Sequence, residues 1–159
     1  MTLTSSAFST EIFARNSSAI HASSAAPSGL RREADGMTST EFASVYSPSA
    51  GPIRLGATER APHGVGRYEF TATLAFGDTI YSASVISHGP AEAFTSMLYD
   101  AGVNLEILSF HQRATDAGIV TFVRGQHNSR IAWAMGTGSD ATESTAKALV
   151  AAANRMCEA

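Results

Sequence analysis

A single cysteine, Cys157, in 159 residues leaves no partner for an internal disulfide and no thiolate cage for zinc. It makes the reducing cytoplasm the expected compartment. No apolar run approaches the roughly 20 residues that a helical membrane span needs, so no membrane partner is expected. There is no basic face: 11 Lys and Arg stand against 14 Asp and Glu, and Arg31-Arg32 is the only adjacent basic pair. Nucleic acid demands clustered positive charge, so it is excluded as a partner. No His-Glu-x-x-His spacing or comparable ligand set occurs, so no metal is expected. Gly136 and Gly138 precede a helix but lack the phosphate-loop pattern, so no nucleotide or other cofactor is expected either. With 44% hydrophobic and only 16% charged residues, the composition is that of a globular protein with one core.

What is present divides at about residue 37. Residues 1–36 are rich in Ser and Ala, with few large apolar residues at any period, and read as a disordered or loosely ordered tail. The other reading of this stretch is an organelle transit peptide, with Arg15, Arg31 and Arg32 against few acids. Residues 37–56 form a short linker helix and lead-in. Thr38-Ser39-Thr40-Glu41 is a capping box, and the helix it opens should run to about Tyr46, burying Phe42 and Val45 or Tyr46. Residues 57–159 form the main domain.

Alternation and glycine turns set out that domain. A strand covers Ile53–Glu59. From Arg67, Tyr68, Phe70, Ala72, Leu74 and Phe76 share one face, with Glu69, Thr71 and Thr73 on the other. Gly77-Asp78 suits a type II′ hairpin turn. The return strand, Thr79–Ser87, should point Tyr81, Ala83 and Val85 inward. The helix 91–101 has Phe94, Met97, Leu98 and Ala101 as its core stripe and Gly102 as its cap. A strand over 103–114 follows, then a hairpin pairing 117–124 with 130–136 through a turn at 125–129. The last helix buries Ala146, Leu149, Val150 and Ala153. The order β-β-β-α occurs twice. It predicts an α+β fold of duplicated βββα units, with antiparallel sheets and helices packed on one side.

The stretch Ser82–Ala114 concentrates the chemistry. Ser87-His88-Gly89-Pro90 ends a strand and opens a helix with small residues. Gly89 is free to adopt angles other residues avoid, and Pro90 costs no hydrogen bond at the first helical position. Bare N–H groups there offer a slot for a small polar ligand. The strand that follows ends in Leu108-Ser109-Phe110-His111-Gln112-Arg113-Ala114, and the two pieces are expected to face each other across a small-molecule pocket. His88, Glu92 and His111 are acid/base candidates if the pocket is catalytic. Each also has a plain role: His88 bonding a turn, His111 facing solvent, Glu92 complementing the helix dipole.

Four segments carry a family resemblance: Ser87–Phe94, Leu105–Ala114, Arg130–Gly136 with its Trp133, and Ala148–Arg155. In this order they resemble the C-terminal regulatory (allosteric, dimerisation) domain of 2-isopropylmalate synthase, related to that of citramalate synthase. The resemblance covers residues 37–156. It implies the duplicated βββα fold, a homodimer, and a pocket for a leucine-like amino acid or related metabolite. By motif, His88, Gly89, Pro90, Ala91 and Glu92 would line the pocket from the turn and helix. Ile107, Phe110, Ala114 and Ala117 would line it from the strand pair. The family's catalytic unit is a metal-dependent (β/α)₈ barrel of about 250 residues, for which this chain has no room. The expectation is therefore a free-standing regulatory domain acting on a separate synthase subunit. The alternative is a small enzyme of secondary metabolism repurposed from the same pocket. The sequence departs from the family where Ser87-His88 replaces Gly-Asn and where Glu92 replaces a small apolar residue. A carboxylate there repels another carboxylate and attracts an amine.

Overall fold

The computed structural model describes residues 23–48 and 50–157. Two short helices, α1 (Ser28–Glu33) and α2 (Ser39–Tyr46), precede two βββα units. The first unit is β1 (Ile53–Pro62), β2 (Tyr68–Phe76), β3 (Thr79–Ser87) and α3 (Pro90–Asp100). The second is β4 (Glu106–Thr115), β5 (Gly118–His127), β6 (Arg130–Gly138) and α4 (Ala141–Met156). Each unit's strands form their own antiparallel sheet, in the orders β1-β2-β3 and β4-β5-β6. The duplicated α+β architecture expected from the sequence is the one found.

Local chemistry explains most boundaries. Phe76 pairs with Thr79 across Gly77-Asp78, and Gly77 supplies the positive φ of 58° that the first position of a tight hairpin turn requires. The β5–β6 turn is tighter than expected. His127 pairs with Arg130, so only Asn128 and Ser129 turn, and Asn128 takes φ 55°. Asparagine tolerates that conformation because its side chain bonds locally. Ala101 caps α3, and the left-handed residue after it is Gly102, φ 98°. Val103 and Leu105 are buried in the core ahead of β4 rather than within it. Tyr81, expected inward, is 45% exposed and packs edge-on against Phe76, 5.5 Å between ring centres.

One core joins the two units. Phe70, Ala72 and Leu74 from β2 meet Phe94, Met97 and Leu98 from α3, while Ala146, Leu149 and Ala153 from α4 complete it. Helix α4 packs on β5, β6 and α3 and also reaches β1. It lies so close to β6 that a Cβ on Gly136 would stand 2.3 Å from the Ala148 backbone nitrogen. Its side chains are accordingly small: Ser144, Thr145, Ala148, Ala151 and Ala152 are all buried. The hydroxyls at this seam form a directed chain. Gln112 Nε2 donates to Thr121 Oγ1 (2.8 Å), Thr121 bonds Ser144 Oγ (2.6 Å), and Ser144 donates to the Gly136 carbonyl (3.0 Å). Asn154 ties the first unit to the same helix, accepting from Ile53 N–H (2.9 Å) and donating to Ile53 C=O (2.8 Å).

A second cluster lies on the far face of β4-β5-β6. Val120, Phe122, Trp133 and Met135 are covered there by Ala26, Leu30, Phe42 and Tyr46. The capping box forms as the sequence indicates: Glu41 N–H donates to Thr38 Oγ1, and Thr38 N–H donates to the Glu41 carboxylate. Most of the stretch read as a loose tail, 1–22, lies outside the described residues. Its last part differs from that reading, because α1 is helical and buries Leu30 completely. The physical reason is tertiary: six residues cannot hold a helix alone, but an apolar sheet face supplies the missing stability.

Candidate functional site

Strand β3 passes into α3 through Ser87-His88-Gly89-Pro90. Pro90 takes the first helical position, and Gly89 is the N-cap, with no side chain capping the free N–H groups. Gly89 differs from expectation: its φ of −158° is ordinary extended backbone, and a Cβ there would meet nothing within 4 Å. Nothing within one copy of the chain therefore demands a glycine at this point. The buried Ser87 hydroxyl accepts from Gly89 N–H at 3.2 Å. Its proton is shared between the Gly89 carbonyl (2.9 Å) and Glu92 Oε2 (3.2 Å). This fixes the turn and anchors Glu92 in the first helical turn, where its charge complements the dipole.

Helix α3 buries Ala93, Phe94, Met97 and Leu98 against the sheet. The opposite face, Ala91, Glu92, Thr95, Ser96 and Tyr99, looks across an open groove to Asn104, Leu105, Glu106 and Ile107 at the start of β4. The groove measures about 590 Å³, a size suited to a small metabolite. Small side chains in mid-helix give it depth. Thr95 spends its hydroxyl proton on the Ala91 carbonyl, at 2.6 Å. Leu105, Ile107 and the ring of Tyr99 supply apolar wall, and Glu92 and Glu106 supply carboxylates.

Of the expected pocket residues, Ala91, Glu92 and Ile107 line this groove. Gly89 and Pro90 stand at its helix end. The His88 ring turns away to the β1–β2 loop, with Nδ1 donating to the Gly66 carbonyl at 2.9 Å. Phe110 lies farther along β4, opposite Val123, and is 40% exposed. Ala114 is seven residues beyond Ile107, roughly 23 Å along an extended strand, and Ala117 lies in the hairpin after it. His111 pairs with Phe122 and sits 6.2 Å from Trp133, on the far face of the sheet. His88, Glu92 and His111 thus do not converge on one cavity. Thr95, Ser96, Tyr99, Asn104, Leu105 and Glu106 complete the lining beyond the expected residues. The helical spacing from Ala91 to Thr95 to Tyr99, opposite the core stripe, was the available signal.

Strand β4 is an edge: among the described residues its outer side has no strand partner. Leu108 marks a shift of register there, between Ile107 and Ser109, and is 39% exposed. Phe110 on the same strand and Tyr99 on α3 are also exposed, at 40% and 64%. Among the described residues, no group of His, Cys, Asp and Glu could hold a metal. Cys157 closes α4, and burial raises the pKa of its thiol while Arg130 opposes the shift.

The LeuA allosteric (dimerisation) domain matches residues 58–157 of this chain. Over 113 residues the chain is 28% identical to a 2-isopropylmalate synthase of Leifsonia xyli subsp. xyli, the alignment covering 69% of this chain and 19% of that protein. Over 138 residues it is 27% identical to a 2-isopropylmalate synthase of Clavibacter sepedonicus, covering 75% and 23% respectively. The matched part is thus about a fifth of the length of these relatives.

Proposed function

This chain belongs to the LeuA allosteric (dimerisation) domain family, and from that premise we propose that it is a ligand-binding regulatory module that works as a homodimer. The observation that carries this reading is the groove between α3 and β4, which opens beside a free strand edge. Exposed Tyr99 lines this open groove, and exposed Leu108 and Phe110 lie farther along the same edge strand. A second copy covering that edge would bury these side chains, satisfy the unpaired strand and close the groove. Ligand and dimer then become linked, because whatever fills the groove strengthens the contact that encloses it. The ligand is a small metabolite with an aliphatic body, of the size of leucine. The output is a catalytic unit of the 2-isopropylmalate synthase type, to which the module passes the ligand signal.

The test has two parts. Sedimentation velocity should give a dimer, and Phe110→Glu should give a folded monomer. Thermal shift with the aliphatic amino acids, their amines and their acids should find at least one that stabilises. At a hundredfold excess over its dissociation constant such a compound adds about 2.7 kcal/mol. A monomeric wild-type chain that no member of the set stabilises refutes the reading.

A further inference from the structure

We infer that the α3–β4 groove recognises its ligand as a cation, through the ammonium group of an aliphatic amine, and that a free carboxylate on the ligand weakens binding. This rests on the ligand-binding role proposed above and names the class of ligand.

The charges lining the groove carry the inference. Two carboxylates, Glu92 and Glu106, stand on its opposite walls, and among the described residues no Lys, Arg or His lines it. His127 reaches the lining only through the Asn104 backbone oxygen, 2.9 Å from its Nδ1. An ionised carboxylate only accepts; Glu92 already takes one bond, from Ser87 Oγ at 3.2 Å, but both groups have capacity for further donors, and an ammonium brings three hydrogens. The lining's side-chain donors, Ser96, Tyr99 and Asn104, are neutral and bring no positive charge to an anion. Thr95 has already given its proton to Ala91. The first-turn N–H groups of α3 would otherwise attract an anion. Glu92 occupies that same turn and offsets its partial positive charge. The remaining wall suits the other end of an aliphatic amine: Leu105 and Ile107 are apolar, and the exposed ring of Tyr99 presents a face that attracts cations.

Four probes of one shape separate the possibilities in isothermal titration calorimetry on the full chain at pH 7. They are 3-methylbutylamine, leucinamide, leucine and 4-methylpentanoate. The two amines should bind about tenfold or more tighter than leucine, with the acid weakest, as expected when charge-assisted bonds are gained or opposed. Glu92→Gln with Glu106→Gln should cost the amines about tenfold and bring leucine level with them. Leucine binding as tightly as leucinamide, the acid binding as tightly as the amine, or an unchanged amine affinity in the double variant each overturns the inference. Each leaves the regulatory reading standing. Failure of all four probes to bind overturns the inference, and with the thermal-shift set also negative it removes the ligand-binding reading.

Discussion

Replacing Phe42 by alanine asks whether α1 and α2 are part of the domain, although the family match begins only at residue 58. Phe42 is 2% exposed, and its ring centre lies 4.9 Å from that of Tyr46. Around them, Leu30, Val120, Phe122 and Met135 complete a closed apolar cluster. Truncating a buried phenylalanine in such a setting costs about 3–5 kcal/mol, the lost transfer energy plus the cavity. The cost has a ceiling. If α1 and α2 dock with less free energy than that, the variant releases them and loses only the docking energy. The two cases are separable through Trp133, the chain's sole tryptophan, which packs in the cluster under the helix pair, where a Cβ added to Gly29 would stand 3.5 Å from its ring. Urea titration followed by far-ultraviolet circular dichroism and by tryptophan emission should show either one shifted transition or an early tryptophan red-shift with the sheets intact. A variant within about 0.5 kcal/mol of wild type, with unaltered Trp133 emission, would place the segment among tolerant surface appendages and refute the packing account.

Three further outcomes follow from the same contacts. Gly136→Ala puts a methyl 2.3 Å from the Ala148 nitrogen and 2.5 Å from the Ser144 carbonyl, so α4 must lift off β6. Thermal unfolding should show a loss of several kcal/mol, whereas Gly64→Ala, with nothing within 4 Å, should show only the small penalty of its φ of 76°. Asn154→Leu leaves the buried N–H and C=O of Ile53 unpaired and should cost about 2–4 kcal/mol, with hydrogen exchange rising first at the start of β1. The third concerns Tyr46, whose hydroxyl is raised to about 12, first by burial and then by its bond to Glu33 at 2.8 Å. A raised folded-state value means that the neutral phenol is favoured on folding. Its contribution is therefore whole below pH 10 and lost between about pH 10 and 12. Absorbance at alkaline pH should show one of the four tyrosines titrating late, and Tyr46→Phe should remove that step.

The parts legible in the sequence were those whose cause is local. Thr38 and Glu41 form a capping box because both partners sit within four residues. Gly77-Asp78 turns because only the backbone at Gly77 needs a positive φ. Phe94, Met97 and Leu98 bury together because helical spacing puts them on one stripe. What escaped was set at a distance. Leu30 looks like a lone apolar residue among Ser, Ala and Arg, and nothing nearby says that Phe122 and Trp133, some hundred positions on, wait for it. The pocket was half visible for the same reason. Ala91, Glu92 and Ile107 follow from the turn and the strand that returns beside it. Yet the bulge at Leu108 and the length of β4 carry Ala114 and Ala117 away from the groove, and strand pattern alone does not show which end of β4 meets the helix.

The duplication itself explains where a site can exist in this fold. Two equal units packed equally would leave no groove, so the asymmetry between them matters. Helix α4 lies against both sheets and α3, and most of its side chains are buried, the majority of those being Ala, Ser or Thr. Its sheet, β4-β5-β6, is covered on the other face by α1 and α2. Helix α3 has no such enclosure. It packs on β2 and β3 with one stripe, and its reverse face carries Ala91, Thr95 and Ser96, residues too small to fill the space up to β4. In a water-facing helix without a binding role, long charged side chains at those positions would cost nothing and would cover Leu105 and Ile107. The second unit thus spends its packing on stability, while the first withholds packing at one seam. The free edge of β4 and the two carboxylates lie at that seam, which is why the proposed ligand and partner copy are assigned to it rather than to the outer face of β1-β2-β3. On that outer face Ser84 bonds Glu69 at 2.7 Å, and Thr71, Thr73 and Ser82 are polar. Ile80 and Ile86, which share the face of Ser82 and Ser84 along β3, are exposed there, but among the described residues no groove separates them from a facing element as at the α3–β4 seam.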